Sequence, residues 1–287
     1  MARQYGNPKD QADLPGNDQM TEVLAKKHPG KFFPLVGMQL PFLSSADWNA
    51  PGASMENLYA LTDKKLASGA YYGIGEVIIR HWPYFQSNVK PGPGMDVRKS
   101  PDTQDMERLA ALAIRNDVPI VIHMEGEPLL VSALERLLQK HRALRLVWSH
   151  ACGRVDPEII EAMLQKFPGL FCDLSNMTNT RQGYGYSIGE DYPARKGWPA
   201  AKAHTFILEE NGSFLPAARR MIERYPDRFV GVGMDNAHRE LGQEIYALRA
   251  DRFRKLLGSL SPDVAEKLAY RNAIRVFRLR VPGLQEP

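Results

Sequence analysis

The sequence predicts an α/β fold on a parallel sheet, a barrel or a doubly wound sheet, and three observations predict it. Six short apolar runs recur along the chain, each followed by polar residues and then by a segment of helical periodicity. Several of them, including VPIVIH, LRLVWSH and RFVGVGMD, are apolar almost throughout instead of alternating, as a strand covered on both faces must be. Strand and helix succeed one another with no low-complexity linker and no repeat of fixed period, so a single domain over residues 1–287 is expected.

Taken in order, the predicted strands are Phe32–Gln39, Gly73–Ile79, Val118–Met124, Leu144–Ser149, Leu170–Leu174 and Phe229–Met234. Between them the predicted helices are Asn57–Ala67, Thr103–Asn116, Glu127–Lys140, Pro157–Phe167, Leu215–Tyr225 and Asp251–Leu257. In Glu127–Lys140 the residues Leu129, Leu130, Ala133, Leu134 and Leu137 share one face. Helices at Pro262–Ala269 and Asn272–Phe277 close the chain, and the segment before Phe32 is polar and then helical. Two long stretches rich in Gly, Pro, Tyr and Asn, Trp82–Pro101 and Ser175–Thr205, each follow a strand. In a (β/α)8 barrel those are loops of the catalytic face.

Composition narrows the function classes. With 44% hydrophobic and 24% charged residues the 287-residue chain is neither disordered nor collagen-like. Its apolar runs all fall short of the roughly 18 to 20 residues a membrane-spanning helix needs, so no membrane partner is expected. The net charge of +4 comes from 37 basic and 33 acidic residues spread along helical segments, which does not suit nucleic acid. Two cysteines, Cys152 and Cys172, are too few for a disulfide framework or a Cys-based zinc site, and Cys152 reads as a small buried thiol. Together with a polar Met1–Gln19 segment lacking a signal core, this gives a cytoplasmic expectation.

Polar residues gather at the carboxyl ends of the apolar runs: Glu76 in GIGEVII, His123 in VPIVIH, His150 in LRLVWSH, Asp173 and Ser175 in LFCDLS, Asp235 in RFVGVGMD. A parallel barrel brings those ends to one rim. Imidazoles and carboxylates from different strands suit a divalent metal such as zinc, which lowers the pKa of water to about 7. Each histidine alone reads more readily as a hydrogen-bonded core residue than as a ligand; their joint position at successive strand ends favours a site. His28 and His141 lie between a helix end and the next strand and read as solvated. His81, in Arg80-His81-Trp82, reads as a substrate contact or a loop anchor, and His204 and His238 lie on post-strand loops. Glu127 reads as a helix N-terminal carboxylate, whereas Glu125 is a candidate for orienting an imidazole. The stretch Gly183–Gly189 lacks phosphate-loop spacing and reads as a substrate-side loop.

Between about Leu24 and Leu279 the order of HPGKFFPLVGM, GIGEV, PIVIHME, LVWSHACG, LFCDLS, RYPDRFVGVGMD and YRNAIRVFRL resembles the amidohydrolase-related group of the metal-dependent hydrolases. That resemblance implies a (β/α)8 barrel holding one or two divalent metals, usually zinc. By position, it makes His123 the strand-five histidine, His150 the strand-six histidine, Asp235 the strand-eight aspartate and Glu76 a strand-four carboxylate ligand. It further implies that Asp235 binds metal and shuttles a proton while metal-activated water attacks a carbonyl. The group also contains non-oxidative decarboxylases.

One departure stands out. The group opens with a strand ending in His-x-His, and no His-x-His occurs in this sequence. Only six βα units are recognisable, and the first two are the missing ones. Either the chain is N-terminally incomplete, or a six-unit protein binds metal weakly or not at all. Two uncovered sheet edges would be costly, which favours the first reading.

The leading expectation is therefore a hydrolase of a small lactone, amide or carboxylated ring. Its metal ligands are Glu76, His123, His150 and Asp235, with His150 and Asp235 catalytic and Arg80, His81 and Trp82 touching substrate. A metal-free binding or interaction protein, a decarboxylase at the same site, and a metal-independent lyase using Glu76 and His150 are the rivals. A homo-oligomer is compatible with all of them.

Overall fold

The computed structural model describes residues 17–38, 53–81, 85–86, 97–175, 186–187, 207–209, 213–233 and 242–284. The strands are β1 (Ile74–His81), β2 (Phe85–Gln86), β3 (Val97–Arg98), β4 (Ile120–Met124), β5 (Leu146–Trp148), β6 (Leu170–Cys172) and β7 (Tyr186–Ser187). β1, β4, β5 and β6 pair in parallel in that order. A parallel bridge from Val36 to Ile74 adds a neighbour on one side, and one from Cys172 to Phe229 adds a neighbour on the other. All six predicted runs thus lie side by side in sequence order with helices between them, the arrangement of consecutive βα units in a barrel.

The two outer runs are shorter than the sequence suggests: Phe32–Gln39 and Phe229–Met234 are single bridges among the described residues. Pro34 offers no backbone donor to a ladder, and Gly231, at φ +76°, turns the chain out of the extended conformation. Backbone bonds continue nonetheless, from Val36 N to Gly73 O and from Val230 N to Cys172 O (2.9 and 2.7 Å).

Helices form at Asn17–Lys27, Ala53–Ala67, Gln104–Arg115, Pro128–Lys140, Pro157–Lys166, Pro216–Arg224 and Gly242–Gly258. Three of them open on proline, which gives up only a donor that the first turn leaves unbonded anyway. Gln104–Arg115 starts where the Thr103 side chain accepts from Met106 N. The last of the seven begins well before the predicted Asp251, because its first turns are polar and carry little apolar periodicity. Pro262–Glu266 and Asn272–Phe277 are joined by a π-helical turn, Lys267–Arg271, instead of being separate. Among the described residues no helix is long and apolar enough to cross a membrane.

The core lies between the sheet and these helices. Ile74, Ile79, Ile120, Ile122, Leu146 and Leu170 pack against Leu109, Leu134, Leu137, Ile160, Met163 and Met221. Each fully buried side chain of this size contributes roughly 1.5–3 kcal/mol. The alternate positions Val147, Phe171 and Val230, with Val121 beside them, form a second cluster on the opposite face under Val276. His123, two residues beyond Val121 on β4, shares that second face.

Three features go beyond the sequence reading. β3 pairs antiparallel with the end of β1, and β2 pairs with β7, so a short ladder ties the two long loops together. Cys152 and Cys172 form a disulfide, which corrects the reading of Cys152 as a free thiol. The pairing follows from the chain reversal after β5, which returns Cys152 over the end of β6, with the Cα atoms 5.0 Å apart. Thirdly, Ser149–Arg154 is a helical turn of unusual hand, with positive φ from His150 onward.

Candidate metal centre

Glu76 is the third residue of β1, His123 the fourth of β4, and His150 follows β5. Their donor atoms converge, with Glu76 Oε1, His123 Nδ1 and His150 Nε2 all lying within 4.8 Å of one another. His150 Nε2 is 2.9 Å from His123 Nδ1, and Glu76 Oε1 is 3.5 and 3.8 Å from the two nitrogens. Three ligands at about 2.0–2.2 Å from a shared cation would stand roughly 3–3.5 Å apart, so this set fits a zinc-sized divalent ion. Both imidazoles are buried and Glu76 is partly exposed, giving the cluster one open side.

His150 is held by a left-handed turn. His150, Ala151, Cys152 and Gly153 have φ between 51° and 72°, and Arg154 has φ 60°. Such a run costs about 1–2 kcal/mol per residue with a side chain, so it must be pinned. Asp173 Oδ1 accepts from His150 N (2.9 Å), Asp173 O from Ala151 N (2.7 Å), and Gly153 O from Gly126 N (3.0 Å). The disulfide fixes Cys152, and Arg154 pairs with Glu125 at 2.6 Å. Gly153 is required twice over, because a Cβ there would meet Met124 O at 2.4 Å and the Trp148 ring at 2.5 Å.

The ring contacts choose the tautomers. Ser175 O accepts from His150 Nδ1 (2.9 Å), which leaves Nε2 with its lone pair toward the cluster. Ser175 Oγ, 3.0 Å from the same Nδ1, donates to Asp173 Oδ1 at 2.6 Å. On His123, Nε2 faces Glu125 Oε1 at 3.3 Å and Nδ1 faces the cluster. Burial, with the positive charges of Arg154 and His123 nearby, holds His150 well below the usual imidazole range. For His123 burial acts the same way but is outweighed by Glu125 and Glu76, which raise it to about 9. Burial also raises Asp173 above the ordinary carboxylate range, against the hydrogen bonds from Ser175 and His150 N.

Of the sequence-expected residues, Glu76, His123 and His150 come together. His81 stacks beside His123, with ring centroids 4.8 Å apart. Arg80 is buried; its guanidinium pairs with Glu127 and donates to the carbonyls of Val97 (2.9 Å) and His81 (3.1 Å), so it ties β1 to β3. Glu127 stands at the helix start, as expected, but directs its carboxylate to Arg80 instead of capping the helix. Trp82, Asp235, His204 and His238 lie outside the described residues, as does Gly183–Gly189 apart from Tyr186–Ser187, the strand β7 that pairs with β2. His141, expected to be solvated, buries its Nε2. Arg154 was not legible as part of the site, since only the turn geometry delivers it to Glu125.

The amidohydrolase family model matches residues 85–279. No protein of curated function matches the sequence. Among solved structures, an uncharacterised TIM-barrel protein from Bordetella bronchiseptica aligns with TM-score 0.52 and 16% identity, over 91% of this chain and 72% of that one. A dihydroxybenzoic acid decarboxylase from Polaromonas, bound to manganese and 2-nitroresorcinol, aligns with TM-score 0.51 and 12% identity, over 97% and 76%. A probable 2-pyrone-4,6-dicarboxylic acid hydrolase from Acinetobacter baumannii aligns with TM-score 0.50 and 13% identity, over 91% and 79%. At such identities the likeness is one of fold, a TIM barrel of which the six parallel units here are part. The family match covers most of the chain and includes two of the three converging residues, and the chain belongs to the amidohydrolase family of enzymes.

Proposed function

We propose that this enzyme is a metal-dependent hydrolase of a small organic substrate, a lactone, an amide or a carboxylated ring, working at Glu76, His123, His150 and Asp235. The observation that carries the reading is the convergence of one carboxylate oxygen and two imidazole nitrogens whose other nitrogens are already hydrogen-bonded. Lone-pair donors so close repel one another unless a cation or a proton lies between them. A divalent ion, with zinc the sequence-based choice and manganese the metal of the decarboxylase neighbour, supplies Lewis-acid polarisation and a lowered pKa for water.

The chain's own residues do the rest. Glu76 and His123 hold the ion. His150, neutral through burial and fixed by Ser175, offers Nε2 as a ligand or as the acceptor of a proton from water. Asp235, at the end of the run that begins at Phe229, is assigned the proton shuttle. His81 beside His123 is assigned to the substrate side, as is Trp82 from its place in the sequence, and Arg80 braces His81 through Glu127 and β3.

Non-oxidative decarboxylation of a carboxylated ring at the same site is the second reading, favoured by the decarboxylase among the structural neighbours. Purified chain loaded with Zn2+ or Mn2+ separates the two, with CO2 release followed from dihydroxybenzoates and acid release from lactones and pyrones. Metal-dependent acid release supports hydrolysis and metal-dependent CO2 release supports decarboxylation. Chain that binds the ion but turns over neither class contradicts both, and activity that survives exhaustive chelation contradicts the metal reading.

A further inference from the structure

We propose that Glu125, locked by Arg154, is a positioning residue that fixes the tautomer of His123, so that Nδ1 and not Nε2 is the atom offered to the cation. The inference rests on the metal reading above and deepens it. Glu125 is fully buried, and its Oε1 is shared between two partners: Arg154 NH1 at 2.6 Å and His123 Nε2 at 3.3 Å. An ionised carboxylate can only accept, so the ring nitrogen that faces it, Nε2, carries the hydrogen, and in the neutral ring the lone pair is left on Nδ1, the side that faces His150 and Glu76. Glu125 is itself held by its backbone, since Glu125 N donates to Arg80 O at 3.1 Å and the next residue donates to Gly153 O at 3.0 Å.

Arg154 makes the arrangement specific. A buried carboxylate would otherwise be expensive to keep ionised, and the guanidinium supplies the compensating charge. Arg154 belongs to the same left-handed turn as His150. One turn therefore aims both imidazoles at the cluster, His150 directly and His123 through Arg154 and Glu125.

The test has two parts. In wild-type chain carrying 15N-labelled histidine, added Zn2+ should shift the His123 Nδ1 resonance while Nε2 keeps its proton; a proton on Nδ1 with Zn2+ on Nε2 overturns the inference. For variants, Glu125→Asp keeps the charge beside Arg154 but withdraws the oxygen from the ring, and the double change Glu125→Gln with Arg154→Met removes both buried charges together. Each should weaken Zn2+ binding by about 10- to 100-fold in calorimetric titration while the far-ultraviolet circular dichroism is retained. Wild-type affinity in either folded variant overturns the inference, and the labelled wild-type spectrum decides it if neither variant folds. A wild-type chain that takes up no Zn2+ at all overturns instead the metal reading on which the inference stands.

Discussion

His123 and His150 stand at corresponding strand ends, yet their surroundings drive them in opposite directions: two carboxylates hold one up, while burial and neighbouring positive charge hold the other down. A pair split in this way assigns the acid and base forms to different atoms of one cluster. His141 shows the same physics away from the site. Burial lowers it from 6.5, and its Nε2 finds no hydrogen-bond partner among the described residues. The folded state therefore binds its proton less readily than the unfolded state does. Its contribution is fully present above pH 6.5 and is lost as the pH falls through the depressed value. Replacing His141 with Gln should flatten that part of the decline when urea midpoints are compared between pH 7 and pH 5; an unchanged difference across that range contradicts the assignment. The two histidines and Glu76 were legible because strand-end polar residues in apolar runs are costly without a function. Arg154 was not, because nothing in local periodicity reveals that a turn will run left-handed.

At the scale of the element, the turn after β5 is where stability is exchanged for placement. Gly153→Ala forces a Cβ against Met124 O and the Trp148 ring at positive φ. It should cost on the order of 1–3 kcal/mol in urea unfolding, with metal affinity falling alongside; a neutral substitution would show that the turn is not rigid. The disulfide closes a sequence separation of 20 residues between this turn and β6. Exchanging both cysteines for serine should lose roughly 3 kcal/mol, and a dithiol reductant should destabilise the wild type but leave the double variant unmoved. Equal sensitivity of both would contradict the bond. Two cysteines counted in the sequence gave no hint of it, since pairing depends on the register of β5 with β6, a non-local fact. The helices, by contrast, were legible to within a residue or two where apolar periodicity was strong, as in Pro128–Lys140, and least so in Gly242–Gly258, where the first turns are polar.

At the scale of the whole molecule, the described residues form six units in sequence order in one parallel array, and Val276 of the C-terminal helix packs against its Val147, Phe171 and Val230. Asn272, buried in the same helix, donates through Nδ2 to Pro226 O (2.7 Å) and Phe229 O (2.8 Å), tying the chain end to the run that leads to Asp235. Asn272→Ala should destabilise by about 1–3 kcal/mol, because the buried Phe229 carbonyl and the part-buried Pro226 carbonyl both lose a donor; a change within experimental error would show that this tie is not needed. The parallel order was legible because non-alternating apolar runs separated by helices admit few other topologies. The short antiparallel ladders were not, since two-residue pairings inside long loops leave no periodic trace.

The central claim is that Glu76, His123 and His150 form a cation site, and titration of metal-stripped chain with Mn2+, followed by the loss of its free-ion paramagnetic resonance signal, tests it most directly. Saturable uptake in whole-number proportion to the chain, abolished by His123→Ala and sharply weakened by Glu76→Gln, is the predicted result. Weak, non-saturating uptake that neither substitution alters would contradict the account.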